Sequence, residues 1–189
     1  TTNPVPGNYT YLNGSLVTVA ATAFAGYVFD YWNLDGSKVA STPSINVTMD
    51  ANHTLHAVFT HITYTLTISI TGKGTTNPAK GSHVYGSGST ATVSATADQG
   101  WYFDHWILDG KNAGSTNPIN VLMNSNHDLG AVFTQITYTL KITTSTGGTT
   151  SPSPGDHVYS SGTNVPVTAN PQDGYQFDHW ELDGVNIGS

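Results

Sequence analysis

One motif returns three times in this chain at a fixed spacing of 74 residues, with no insertion or deletion between copies. Gly26-Tyr27-Val28-Phe29-Asp30-Tyr31-Trp32-Asn33-Leu34-Asp35-Gly36 recurs as Gly100-Trp101-Tyr102-Phe103-Asp104-His105-Trp106-Ile107-Leu108-Asp109-Gly110. It recurs again as Gly174-Tyr175-Gln176-Phe177-Asp178-His179-Trp180-Glu181-Leu182-Asp183-Gly184. The register holds beyond this block: Thr1-Thr2-Asn3-Pro4 matches Thr75-Thr76-Asn77-Pro78 and Thr149-Thr150-Ser151-Pro152, and His53 and Phe59 match His127 and Phe133. A unit of this size buries only a modest core and leans on its neighbours. Tandem arrays supply length, spacing or repeated weak binding far more often than catalysis.

Composition narrows the chemistry. With no cysteine, neither disulfides nor thiolate metal sites can staple a unit. Aromatics must carry the core, and Tyr27, Phe29, Trp32 and Leu34 would each contribute about 2–3 kcal/mol if fully buried. Charged residues are only 9 % of the chain, all five basic ones are lysines, and the net charge is −7. Such a chain cannot neutralise a run of phosphates, which excludes nucleic acid as a partner. No stretch approaches the ~20 apolar residues of a membrane-spanning helix. A surface rich in Ser, Thr and Asn and poor in charge is common on secreted and cell-surface proteins. No signal peptide is present and the chain opens inside a repeat, as expected of a portion of something longer.

Apolar residues alternate with period two. Tyr64, Leu66, Ile68 and Ile70 do so, as do Ala91, Val93, Ala95 and Ala97, then Ile119, Val121 and Met123, and Leu129, Ala131 and Phe133. This describes half-buried antiparallel strands. No segment carries an apolar stripe at helical spacing. The middle unit reads as strands near Tyr64–Thr71, Thr90–Ala97, Trp101–Leu108, Pro118–Met123 and His127–Thr134, with a short Gly-rich ribbon around His83–Tyr85 after the first. Turn residues separate them, and Leu-Asp-Gly in all three copies is a tight-hairpin signal. Phe103 and Trp106 are three apart, so a bulge must fall between them if both face the core.

The expected fold is thus all-β: a tandem array of small antiparallel β-sheet repeats, each a sandwich or a β-grasp-like unit. Repeat 1 spans 1–61 without its first strand, repeat 2 spans 62–135 and is complete, and repeat 3 spans 136–189 without its last strands. Phe133-Thr134-Gln135-Ile136-Thr137-Tyr138 joins two units with no Gly, Pro or Ser spacer, which predicts a semi-rigid rod. The outer units should expose unpaired strand edges. Either the array simply continues beyond them, or another chain supplies the missing strands by β-augmentation.

The string Gly-aromatic-x-Phe-x-x-Trp is followed by Asn52-His53-Thr54-Leu55-His56-Ala57-Val58-Phe59, and in the next copy by Asn126-His127-Asp128-Leu129-Gly130-Ala131-Val132-Phe133. Together they resemble the divergent internalin B-repeat family of bacterial and archaeal surface proteins, over essentially the whole chain. The resemblance implies extracellular tandem modules that serve as stalks and adhesive segments. It also implies a β-grasp-like fold with a helix, for which no segment here has the period, and it carries no catalytic residues.

Candidate sites compete with structural roles. Histidines 105 and 179 follow Asp104 and Asp178, a pairing that could ligate zinc. The first copy has Tyr31 there, and neighbouring strand residues should point to opposite faces. Histidines 53 and 127 are expected at a turn, bonded to backbone. Aspartates 30, 35, 104, 109, 178 and 183 could bind a structural calcium, but the dense carboxylate loop of such sites is missing and turn roles fit them better. No cofactor or metal site is assigned. Glycan sequons occur at Asn8, Asn13, Asn46 and Asn52. Asn46 and Asn52 recur as Asn120 and Asn126 without the sequon, which points to a backbone role for those two. Tyr9, Tyr11, Tyr85, Tyr102 and Tyr159 are the candidate exposed rings for stacking on surface glycans, while the Phe and Trp of each aromatic strand belong to the core.

No nucleophile–base pair or carboxylate dyad is evident. The reading is a non-catalytic structural or adhesive segment of an extracellular, cell-surface protein or filament. Its partners would be copies of itself or neighbouring repeats, head to tail. The alternative is a carbohydrate-binding, lectin-like surface module.

Overall fold

The computed structural model of the chain describes residues 1–188. Repeat 1 contains β1 (Thr2–Asn3), β2 (Leu16–Ala21), β3 (Tyr27–Leu34), β4 (Ser37–Ala40), β5 (Ser44–Thr48) and β6 (Leu55–His61). Repeat 2 contains β7 (Thr63–Thr71), β8 (Gly74–Asn77), β9 (Gly81–Gly86), β10 (Thr90–Ala97), β11 (Trp101–Leu108), β12 (Lys111–Gly114), β13 (Ile119–Leu122) and β14 (His127–Gln135). Repeat 3 contains β15 (Thr137–Ile142), β16 (Gly148–Ser151), β17 (Gly155–Ser160), β18 (Thr168–Pro171), β19 (Trp180–Leu182) and β20 (Val185–Gly188). The described residues include no helix, in keeping with the missing helical period. The strands read from the alternation are all present, whereas β8 and β12 were not anticipated.

Repeat 2 folds as two sheets, β12-β11-β14-β7-β9 over β13-β10-β8. Alternation sends one face of each inward, and Leu66, Ile68, Ala91, Val93, Trp106 and Met123 meet in one core. One pair departs from the antiparallel expectation: β14 and β7, the last and first strands of the repeat, run parallel from His127↔Leu66 to Val132↔Thr71.

The bulge falls where the spacing of the aromatics requires it. Phe103 pairs with Phe133 and His105 with Val132, so Asp104 is the extra residue. Phe103 then lies 5.0 Å from Trp106 and edge-on to Phe133 at 5.7 Å. In repeat 1, Phe29 stands likewise 5.4 Å from Trp32. Tyr27 leaves the core expected for it and remains 47 % exposed. The Asp-Gly turns place both residues at positive φ, +51° and +86° for Asp35 and Gly36, as a two-residue hairpin of this hand requires.

Repeats 1 and 3 form strands only where partners exist. Residues 7–12, the counterpart of β9, contain no strand, because nothing corresponding to β7 precedes them in residues 1–61. In repeat 3, residues 164–167 match the part of β10 that pairs with β13, and they stay irregular. Thr168–Pro171 does form a strand, against β16. Likewise only Trp180–Leu182 of the third aromatic segment is extended, paired with β20 in a hairpin.

Candidate functional site

Two open clefts lie where repeats 1 and 3, among the described residues, have no counterpart of the strands that fill this space in repeat 2. In repeat 2, β7 lies between β14 and β9 and drives Leu66 and Ile68 into the core, at 0 % and 3 % exposure. In repeat 1 the same space is a cleft of about 810 Å³, lined by Val17, Trp32, Val47 and Phe59, with Tyr9 and Tyr11 also on its wall. In repeat 3 a cleft of about 410 Å³ is lined by Gly148, Phe177 and Trp180. There repeat 2 has Phe133, whose ring lies so close to Gly74 that a side chain at that glycine would collide with it.

The candidate tyrosines divide. Tyr9 and Tyr11 are exposed, their rings 6.4 Å apart, and the Tyr9 hydroxyl donates to the Val5 carbonyl at 2.7 Å. Tyr102 is also exposed. Tyr85 and Tyr159 are not exposed as expected: both are half-buried, and Tyr85 packs against the core of repeat 2. In β9 the outward position belongs to Val84, and the alternation turns Tyr85 inward. The sequon residues Asn8, Asn13, Asn46 and Asn52 are all exposed. Asn46 Oδ1 accepts from the Thr18 hydroxyl at 2.7 Å, and Asn120 repeats that bond with Thr92. Asn126 Oδ1 accepts the Thr65 N–H at 2.8 Å and so ties β7 to the β13–β14 connection. Asn52 has no β7 to bond and lines the cleft instead.

Histidines 53 and 127 bond carboxylates rather than backbone. His53 Nδ1 lies 2.7 Å from Asp35 Oδ2, and Asp35 Oδ1 accepts the Thr54 N–H at 2.7 Å. His127 and Asp109 repeat this at 2.7 Å, with the Asp128 N–H donating at 2.9 Å. Each hairpin Asp thus clamps its turn to the start of the last strand of its repeat, β6 or β14. The hydrogen bond from the Thr54 amide and then that from His53 hold Asp35 below the usual carboxylate range. Asp109 is lowered in the same way by Asp128 and His127. In the aromatic strands, His105 Nδ1 stands 3.3 Å from Asp104 and His179 Nδ1 3.0 Å from Asp178. Simple alternation would have separated Asp104 from His105; the bulge brings them together. Asp30 approaches Lys38 at 3.8 Å. Among the described residues no group of three or more His, Cys, Asp or Glu converges as a metal ion would require.

The joints fall at the repeat boundaries expected from the sequence, whereas their hydrogen bonding carries no sequence mark. Ile62 alone separates β6 from β7. Its N–H donates to the Gly26 carbonyl of repeat 1 at 2.7 Å, and its carbonyl accepts the Ser87 N–H of repeat 2 at 2.9 Å. Ile136 does the same between Gly100 and Ser161, both at 2.8 Å. The recurrence of Gly-Tyr/Trp and of Ile-Thr-Tyr at the common spacing was the available signal for those boundaries.

A repeated aromatic sandwich, a recurrent Asp–His clasp and a single-residue joint define a tandem β-repeat array. Its open features are strand-shaped clefts. The chain belongs to the divergent InlB B-repeat domain family, whose model matches residues 2–63, 64–137 and 138–189. Repeats of this family are generally non-catalytic and typically occur on extracellular surface proteins. Comparison with curated proteins and with solved structures gave no match.

Proposed function

We propose that this segment is a semi-rigid spacer in an extracellular surface protein or filament, holding successive repeats at a fixed angle and presenting them for adhesion. The joint carries this reading. One residue with both backbone groups committed, one to each side, has little torsional freedom, and the arrangement is the same at Ile62 and Ile136. A chain without cysteine allows clean spin labelling, at exposed Ser37 in repeat 1 and Val84 in repeat 2 for instance. The label-to-label distance distribution should be narrow in the parent and broaden in Ile62→Pro, which removes the donated N–H. A parent distribution as broad as that of the variant would end the rod reading.

Head-to-tail continuation by strand complementation is part of the proposal. It is supported by repeat 2, where β7 fills the space that stands open in repeat 1. A synthetic peptide spanning Thr63–Thr71 should bind residues 1–61 within the full chain and change the fluorescence of Trp32. Binding no weaker for a peptide with Leu66→Asp and Ile68→Asp would sink that element. The carbohydrate-binding alternative has one observation in its favour, the exposed Tyr9–Tyr11 pair at the cleft wall. It requires saturable glycan binding that Tyr9→Ala abolishes while the fold survives. Occupied glycan sites at Asn8 or Asn13 would add support for an extracellular location and are read by intact mass.

A further inference from the structure

In repeat 1 two carboxylates face the two ring nitrogens of one histidine. Asp35 Oδ2 lies 2.7 Å from His53 Nδ1, and Asp50 Oδ1 lies 2.9 Å from Nε2. They come from different connections, Asp35 from the β3–β4 turn and Asp50 from the β5–β6 loop. An ionised carboxylate only accepts. A neutral imidazole has a single N–H, so it can satisfy one of these carboxylates and must turn a lone pair toward the other; the imidazolium donates to both.

Repeat 2 has the same clasp with one difference. His127 Nδ1 meets Asp109 Oδ2 at 2.7 Å, but Nε2 meets Asn124 Oδ1 at 3.1 Å and Ser125 Oγ at 3.2 Å. A hydroxyl can donate to an unprotonated ring nitrogen, and an amide, unlike a carboxylate, can turn its NH2 toward it, so a neutral His127 with its proton on Nδ1 satisfies both sides once Asn124 presents Nδ2. Asn124 stands where repeat 1 has Asp50.

We propose that His53 is a proton-operated latch that ties the β3–β4 turn to the β5–β6 loop at the wall of the repeat 1 cleft, and that repeat 2 carries the same clasp in a form that closes without the proton. Asp35 and Asp50 are the charged groups that act on His53. His56, on β6, also lines the cleft, as does Asn52, which is uncharged. The hydrogen bond to Asp35, followed by that to Asp50, holds His53 above its ordinary value. A raised histidine contributes stability that is complete below the ordinary value, about 6.5, and is lost as pH rises through the raised one. On the acid side, Asp35 is lowered, so its contribution is present above about 3.9 and disappears as pH falls through its lowered value. The latch is therefore tightest between the two windows and slackens as pH rises through the raised value of His53.

The test is a histidine titration of the full chain by NMR, with amide exchange of Thr54 and Asp128 corrected for intrinsic rate. Asp50→Asn should lower the His53 midpoint and remove the pH dependence of Thr54 protection, which in the parent should fall about two- to five-fold between mildly acidic and mildly alkaline solution. Asn124→Asp should install the latch in repeat 2, raising the His127 midpoint above that of the parent and making Asp128 protection pH-dependent. An unchanged His53 midpoint in Asp50→Asn, or flat Thr54 protection in the parent, would overturn the proposal. Because Asn124→Asp works in the complete repeat, it remains decisive even if Asp50→Asn disturbs the fold of repeat 1.

Discussion

Repeats 1 and 2 place the same apolar residues at corresponding positions of their last strands and bury them to different depths. Leu129, Ala131 and Phe133 of β14 are 0 %, 0 % and 3 % exposed, whereas their counterparts Leu55, Ala57 and Phe59 of β6 are only half-buried. The difference is β7, which pairs with β14 and has no counterpart beside β6 among the described residues. The two tryptophans sharpen the point. Both are buried, at 1 % for Trp32 and 0 % for Trp106, yet Trp106 Nε1 donates to the Thr116 carbonyl at 3.1 Å while Trp32 Nε1 has no partner among the described residues. In repeat 2, Asn117 pins the connection before β13 by accepting the Ala95 N–H and donating to the Ala95 carbonyl. Repeat 1 has Pro43 there, which has no side-chain amide to offer, and only its carbonyl accepts from Ala21. The tryptophan is buried in both repeats, but only repeat 2 adds the adjoining strand and the pinned connection.

The comparison can be broken most forcefully at Trp106. Trp106→Ala should cost about 3–5 kcal/mol, read by urea unfolding of repeat 2, with a smaller loss for Trp32→Ala because Leu55, Ala57 and Phe59 around it are only half-buried and its indole N–H has no partner to lose among the described residues. Equal losses would mean that β7 does not set the difference. Leu66→Ala should cost about 2–5 kcal/mol and bring amide exchange in β14 toward that of β6; unchanged β14 protection would count against the covering role of β7. Pro43→Asn should narrow the gap from the other side. By restoring the clamp on Ala21 it should stabilise repeat 1 by about 1 kcal/mol, with slower exchange at Ala21; no gain would show that the connection is fixed by something else.

Much of this architecture could be read from local pattern. Alternation located β7, β10, β11, β13 and β14, the spacing of Phe103 and Trp106 demanded the bulge, and Asp-Gly placed the hairpins. The parallel pairing of β7 with β14 was beyond reach, because it joins residues about sixty apart and leaves no local mark on either strand. Short strands such as β8 and β12, four residues each, carry too few alternations to register. Tyrosine tolerates both environments, so residue type alone does not place Tyr85 and Tyr159; the inward phase of His83-Val84-Tyr85 does. The Asp–His clasp was legible in principle, since Asp35 and His53 recur together as Asp109 and His127. A turn aspartate and a histidine eighteen residues later look unrelated until the hairpin folds back.

The parallel neighbours β7 and β14 also determine how a repeat meets tension. The chain enters repeat 2 at the start of β7 and leaves at the end of β14, so the points of entry and exit lie at opposite ends of two adjacent strands. Pulling along the array then loads their six registered pairs in shear, all at once, instead of peeling them one by one. With about 3.3 Å of rise per residue, the nine residues of β7 span about 30 Å. Repeat 2 is thereby a link that meets end-to-end tension in shear across all six pairs.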